Sequence, residues 1–345
     1  MKPPDTMIHA VAPTRVCDVG GWTDTWFSGR GTIFNIGVSP LVEVQIRRFP
    51  RNGSQAPVII RAENYRESYE FDPVETSGGK HPLIEMAFRE MELPDDLRLE
   101  ASIYSSAPPG ASMGTSASVS VALIGALDAL TLGRMSAREI AQFAHRLETE
   151  KLGLECGVQD QVASALGGVN LIHMSEYPHT QVESVAMAED VRWELEQRLL
   201  IVYIGKPHQS SEVHRAVIQG LGDLPSEDSR LERLRQLAVQ AADACGKGDV
   251  SRLGAVFNEN TEVQRHLHPD LVCPDFEKII RVADEHQVEG CKVNGAGGDG
   301  GSVAILCSAD LSRKRELESA LIRMNFRCLP VLLDQQGLRV WESTL

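Results

Sequence analysis

The chain has 345 residues, 42% of them hydrophobic and 24% charged, with 34 basic against 48 acidic side chains and a net charge of −14. That length suggests two domains, and the composition is that of an ordinary globular protein. The acidic balance, without a lysine- or arginine-rich run interleaved with aromatics, excludes nucleic acid as an expected partner.

Apolar, β-branched stretches at Ile33–Ile46 and Val58–Ala62, with turn sequences at Arg51-Asn-Gly and Gly78-Gly79, predict a strand-rich beginning. Residues 107–118 then read Ala-Pro-Pro-Gly-Ala-Ser-Met-Gly-Thr-Ser-Ala-Ser and run into the almost uncharged stretch Val119–Leu132. Small and hydroxyl residues ahead of an apolar helix expose successive backbone N–H groups at its positive end, which suits phosphate. The loop lacks the Gly-Lys-Ser/Thr of the Walker type, so a phosphate site here is of another design. A helix over 114–132 is followed by one from about 137, announced by the capping box Ser136-Ala-Arg-Glu139 and carrying the stripe Ile140, Phe143, Ala144 and Leu147. A short helix is predicted over Gln159–Leu166, ended by Gly167-Gly168.

Residues 175–195 are polar, contain Pro178 and show little periodicity, which puts a boundary there and divides the chain into 1–185 and 186–345. Leu199–Ile204 reads as a buried strand, and helices follow at 226–245, 250–266 and 275–287, the last behind Pro274. Asn294-Gly-Ala-Gly-Gly-Asp-Gly-Gly301 opens onto a strand at Ser302–Cys307, and strands at Cys328–Leu333 and Leu338–Trp341 flank the turn Asp334-Gln-Gln-Gly. The order implies an α+β protein with two lobes. The run at 119–132 is interrupted by Asp128 and falls short of the ~20 residues of a membrane span, so no membrane partner is expected. Seven scattered cysteines (Cys17, Cys156, Cys245, Cys273, Cys291, Cys307 and Cys328) with no Cys-x-x-Cys pair argue against disulfides or zinc. Together with the lack of an apolar signal segment, they make a cytoplasmic location the expectation.

Three segments could carry chemistry: Ala12-Pro-Thr-Arg15-Val-Cys-Asp18-Val-Gly20-Gly21-Trp22-Thr23-Asp24, the loop 107–118 and the glycine cluster 294–301. In this order and spacing the chain resembles the GHMP kinases, the superfamily of galactokinase, homoserine kinase, mevalonate kinase and phosphomevalonate kinase. A fourth stretch, Cys156-Gly157-Val-Gln-Asp160-Gln161-Val-Ala-Ser164, is similar to the one around the catalytic aspartate of galactokinases. Galactokinases carry Gly-Glu-His-Thr-Asp where this chain has Gly20-Gly21-Trp22-Thr23-Asp24, a form closer to the fucokinase and heptose-kinase branch.

The resemblance implies a two-lobed GHMP kinase fold, with a ribosomal-protein-S5-like N-terminal lobe and a ferredoxin-like C-terminal lobe. It implies ATP and Mg2+ as cofactors, a monosaccharide as the acceptor and a sugar 1-phosphate as the product. Asp160 and Arg15 would be catalytic, the guanidinium favouring the charged carboxylate and offsetting charge on the transferring group. Pro109, Gly110, Ala111, Ser112, Met113, Gly114, Thr115, Ser116, Ala117 and Ser118 would wrap the phosphates, with Ser116 and Glu148 as the metal ligands. Gly21, Trp22, Asp24, Asp160, Gly297 and Gly298 would face the sugar; Trp22 suits either the core or the wall of that pocket. Asp18 and Asp299 are left without a role, as are His208 and His214. A phosphorylated sugar would need a cation, for which Arg30, Arg47, Lys206, Arg215 and Lys292 are candidates. Two other readings stay open: a mevalonate-type isoprenoid kinase, and a non-catalytic sensor of ATP and sugar. The sequence leaves the oligomeric state open.

Overall fold

The computed structural model describes residues 6–52, 56–75, 79–131, 135–206, 210–221 and 225–344. The chain opens with two long strands, β1 (Thr6–Val19) and β2 (Gly31–Pro50), followed by β3 (Val58–Ala62), β4 (Glu67–Phe71), helix α1 (Pro82–Glu90) and β5 (Leu97–Ser105). Helices α2 (Thr115–Asp128) and α3 (Ala137–Arg146) come next, then a π-turn at Leu147–Lys151, α4 (Gln159–Leu166), and the hairpin β6 (Val169–Glu176) and β7 (His179–Ser184). The remainder runs α5 (Glu189–Arg198), β8 (Leu199–Tyr203), α6 (Ser210–Leu221), α7 (Ser229–Lys247), α8 (Val250–Leu267), α9 (Pro274–Glu285), β9 (Gly290–Val293), β10 (Ser302–Leu306), α10 (Leu311–Arg323), β11 (Arg327–Leu329) and β12 (Arg339–Thr344).

Among the described residues the strands form two sheets. The first has the order β12-β1-β2-β5-β3-β4, with β6 and β7 attached through β2; the second has the order β11-β8-β10-β9. β12, last in the chain, returns to pair with β1 in the first sheet. The fold is therefore α+β, with one sheet to each lobe and the C-terminal strand crossing back. Residues 175–195, expected to be a featureless boundary, hold the end of β6, β7 and the start of α5. Their side chains lie largely exposed, so the pattern that marks a buried element is missing from the sequence.

β2 serves two neighbours. Its first part, Gly31–Ile36, pairs with β6, and its second, Val42–Pro50, pairs with β5. The β1–β2 register shifts between Pro13 and Thr14, which lets the bent strand divide itself in this way. Ile8, Ala10, Ala12, Val42, Val44 and Ile46 enter the core of the first lobe, around the largely buried helix α2. Val16, Val19, Phe34, Ile36 and Val38 instead enter a second core, shared with α7, α8 and β8. α9 and α10 cover the other face of the second sheet through Phe276, Ile279, Leu317 and Leu321.

The capping box at Ser136 forms: Ser136 Oγ accepts from the Glu139 N–H, and the Glu139 carboxylate accepts from the Ser136 N–H. The stripe residues Ile140, Ala144 and Leu147 are buried as expected, but α3 gives way at Leu147 to the π-turn.

Candidate active site

The segments singled out in the sequence meet at one cavity of about 830 Å³, lined by residues of β1, the 109–117 loop, α4 and the turn at Gly295. Arg15 lies buried on β1. Its Nε donates to Asp160 Oδ1 at 2.7 Å, its Nη2 reaches Oδ2 at 3.4 Å, and its Nη1 donates to the Ser112 carbonyl. Burial works against the Arg15 charge, but Asp160, Asp18 and Asp24 outweigh it and raise the pKa. The loop can come this close because residue 114 is glycine: its φ is +70°, and a Cβ there would stand 3.2 Å from Asp160 Cγ and 3.4 Å from Arg15 Cγ. Gly114 is also the N-cap of α2, so that helix starts at the cavity with its free N–H groups beside the Arg15–Asp160 pair.

A second carboxylate, Asp24, is held at the start of α4. The Gln159 N–H donates to Asp24 Oδ2 at 3.1 Å, and the Val158 N–H donates to the Asp24 carbonyl at 3.3 Å. Gly157 makes room for it, since a Cβ at that position would fall 2.2 Å from Asp24 Oδ2. Burial pushes Asp24 up to about 6, against the opposing pull of the Gln159 N–H.

Glu148, on the π-turn, is 6% exposed and accepts from Gln161 Nε2 at 3.0 Å. Burial raises it to about 7; the Gln161 contact opposes the shift and the charge of Asp160 adds to it. The fold thus favours the neutral acid. This contribution to stability is complete below the usual value of 4.5 and is lost as pH rises through about 7. Glu148→Gln carries no titrating group, so its stability relative to the parent should rise from pH 5 to pH 8 by up to about 3 kcal/mol. Urea midpoints of the two proteins at both pH values check this, and a pH-independent difference would contradict it.

Four buried polar atoms of cavity residues have no hydrogen-bond partner: Ser112 Oγ, Thr115 Oγ1, Gln159 Oε1 and Gln161 Oε1. Such atoms are rare in folded proteins, and their gathering at one cavity points to a polar ligand. Glu148 and Ser116 both line the cavity. A carboxylate with no ion pair among the described residues, together with a hydroxyl, suits a hard divalent cation that keeps several waters. Among the described residues no cluster of three or more His, Cys, Asp or Glu side chains is placed to hold a metal.

The placement of the other expected residues is uneven. The run Pro109–Ala117 lines the cavity throughout. Ser118 does not: its hydroxyl turns inward to the carbonyls of Pro13 and Gly114 and to Ser164 Oγ. Trp22 is both wall and core, lining the cavity while packing with Val217, Leu231, Leu234 and Leu271. Gly21 and the pair Gly297 and Gly298 are absent from the lining. A Cβ on Gly21 would meet Asp18 Oδ2 at 2.9 Å, and one on Gly297 would meet the Leu271 carbonyl at 2.1 Å. The Gly298 N–H bonds that same carbonyl, so this part of the cluster packs on Leu271, and Gly295 and Ala296 face the cavity instead.

Of the candidate cations, Lys292 is fully buried against Asp18, Arg30 pairs with Glu232, Lys206 pairs with Asp275, and Arg47 lies over the Phe49 ring. Arg215 alone among the five lines the cavity. His208 and the side chain of His214 lie outside the described residues. Sequence reasoning missed Gln159 and Gln161, whose amides carry no motif of their own. It also missed Tyr177, whose hydroxyl donates to the Cys156 carbonyl at 3.1 Å and meets His145 Nε2 at 2.9 Å.

Residues 83–168 match the family described as the GHMP kinases N terminal domain. Over 327 residues the chain is 25% identical to the bifunctional fucokinase/GDP-fucose pyrophosphorylase of Arabidopsis thaliana, a match covering 90% of this chain and 30% of that protein. It is 23% identical to the D-glycero-alpha-D-manno-heptose 7-phosphate kinase of Campylobacter jejuni, with 69% of each chain covered. The crystal structure of a D-glycero-D-manno-heptose 1-phosphate kinase from Bacteroides thetaiotaomicron superposes with a TM-score of 0.76 at 22% identity, over 97% of this chain and 98% of that one. The chain thus carries a GHMP kinases N terminal domain match over residues 83–168 and is similar, over most of its length, to kinases of the sugar branch of that superfamily.

Proposed function

We propose that the protein is an ATP-dependent kinase that transfers the γ-phosphoryl group to a sugar hydroxyl, the anomeric one, giving a sugar 1-phosphate and ADP. The observation that carries this reading is the Asp160 carboxylate, held at 2.7 Å by Arg15 beside the N-terminus of α2. The acceptor oxygen attacks the γ-phosphorus as its bond to the β-γ bridging oxygen breaks. Asp160 takes the hydroxyl proton, and Arg15 offsets the charge that develops between acceptor and phosphoryl group. The Gly110–Ala117 backbone and the start of α2 cradle the phosphates. Glu148 and the Ser116 hydroxyl are the residues to hold Mg2+, which supplies charge neutralisation on the nucleotide when bound. The rest is positioning in a cleft.

A sugar fits better than a mevalonate-type acid. Asp24 and Asp160 line the cavity, and carboxylates accept hydrogen bonds from hydroxyls but repel an acid. Arg215, exposed at the rim and without an ion pair among the described residues, favours a sugar that already bears a phosphate. The unpaired cysteines suit a reducing compartment, in keeping with a cytoplasmic enzyme.

The test is coupled ADP release over neutral, acidic and phosphorylated monosaccharides, with mevalonate as the competing acceptor. No acceptor-dependent ADP in any arm would leave only the reading as a non-catalytic sensor. If the acceptor is a sugar phosphate, Arg215→Ala should raise its KM by roughly tenfold or more while changing the KM for ATP little.

A further inference from the structure

Asp18 belongs to no motif role carried over from the family, yet it is 1% exposed and lines the cavity. The chain goes to some trouble to place it. The β1–β2 register shifts between Val16 and Val19, and Cys17 sits inside this irregularity with φ +57°, a conformation costly for a residue with a side chain. Bulges of this kind re-aim a side chain. Here the kink turns Asp18 toward the second lobe, and Gly21 leaves the space its carboxylate needs.

Three groups from the second lobe converge on this kink. Lys292 of β9, itself fully buried, reaches Asp18 Oδ1 at 3.4 Å. The Gly295 N–H donates to both Asp18 oxygens, at 3.0 and 3.1 Å. Asn294 Oδ1 accepts from the Cys17 N–H at 3.0 Å. Lys292 is braced in turn by Gln264 Oε1 of α8 at 3.3 Å and by the Val293 carbonyl.

The turn held by Asp18 presses on the phosphate-type loop. A Cβ on Gly295 would lie 3.0 Å from Ser112 Cβ and 3.6 Å from Arg15 Nη2, and one on Gly301 would lie 2.4 Å from Ser112 Oγ. Ser302 Oγ donates to the Ala111 carbonyl at 2.6 Å. Ser112 is the residue whose carbonyl fixes one arm of Arg15. Charges alternate along this path, from Asp160 to Arg15 to Asp18 to Lys292. A buried ion pair is a poor source of stability compared with packed apolar side chains, but its directional contacts can fix the register of the elements that carry it.

We infer that Asp18 and Lys292 are positioning residues: their buried pair registers the glycine turn of the second lobe against Ser112 and so holds Arg15 in line with Asp160. The inference rests on the proposed kinase reading only for its effect on turnover; the structural coupling stands apart from it.

The decisive experiment compares the parent protein with Asp18→Ala, Lys292→Met, the double variant and Asp18→Glu, measuring melting temperature, amide hydrogen exchange and turnover. Each single variant strands a buried charge or its partner and should melt well below the parent, whereas the double variant recovers most of the loss. In that double variant, exchange should quicken both in 294–301 and in 110–114, and kcat should stay about 10- to 100-fold low with KM for ATP changed far less. Asp18→Glu keeps the charge but displaces the turn, so it should melt near the parent and still lose kcat; it decides the matter if the double variant does not fold. Parent-like exchange at 110–114 in the double variant, or parent-like kcat in either, would overturn the inference. Failure of the unaltered protein to release ADP counts against the proposed activity alone, and the exchange data then decide the coupling.

Discussion

Asp160→Asn should lower kcat by about 10²- to 10⁴-fold while leaving nucleotide affinity near that of the parent. Asparagine has the same shape, and its Oδ1 can still accept from Arg15 Nε, which approaches to 2.7 Å in the parent. What it loses is the capacity to take a proton from the acceptor hydroxyl. On the proposed reading the nucleotide is held elsewhere, chiefly by the Pro109–Ala117 backbone that lines the cavity, so titration with a non-hydrolysable ATP analogue should give a Kd within a fewfold of the parent value. Undiminished turnover in this variant would remove Asp160 from the reaction and with it the main support for the proposed mechanism.

Arg15→Lys is the second substitution with a large expected effect, about 10²-fold in kcat. The guanidinium works as a fork: one edge faces Asp160 while Nη1 donates to the Ser112 carbonyl. An ammonium is a point charge on a flexible stem and cannot hold both partners in the same geometry. Loss of the Ser112 contact also frees the loop on which Gly114 and α2 depend, so KM for ATP should rise as well, unlike in the Asp160 variant. Combining Arg15→Lys with Asp160→Asn should cost far less than the product of the two single losses, because the two residues act as one unit. Steady-state kinetics over the four proteins of this cycle check the point, and fully multiplicative losses would argue that the pair does not work together.

What could be read from the sequence followed from local signals. The capping box at Ser136, the break at Gly167 and the apolar run after Gly114 each depend on residues within a few positions of one another, and each marks a real element end. The motif residues Arg15, Asp24, Glu148 and Asp160 do share one cavity, although they lie far apart along the chain.

The misses follow from physics the sequence does not display. Ser118 sits in the same hydroxyl-rich run as Ser116, but helix geometry turns it toward Pro13 of β1 and Ser164 of α4, a direction that depends on elements 105 and 46 positions away. Gly297 and Gly298 look like part of a ligand loop because glycine is silent about what approaches it; here the neighbour is the Leu271 backbone. Lys292 reads as a free cation in one dimension and is the buried partner of Asp18 in three. β4, β5 and the hairpin strand β7 escaped notice because their patterns are short or half-exposed.

The return of the final strand to the first sheet bears on how the molecule is made. His9 bonds Ser343 at 2.7 Å across a separation of 334 positions, and their strands run side by side from Thr6 to Val11. As the polypeptide leaves the ribosome, the outer margin of β1 must therefore stay bare until residues 339–344 have emerged. An open strand margin invites pairing with a stranger, and a closure spanning that much chain is slow. Until then the β1 margin is open to misassociation; once paired, β12 covers it and itself becomes the end strand of the sheet.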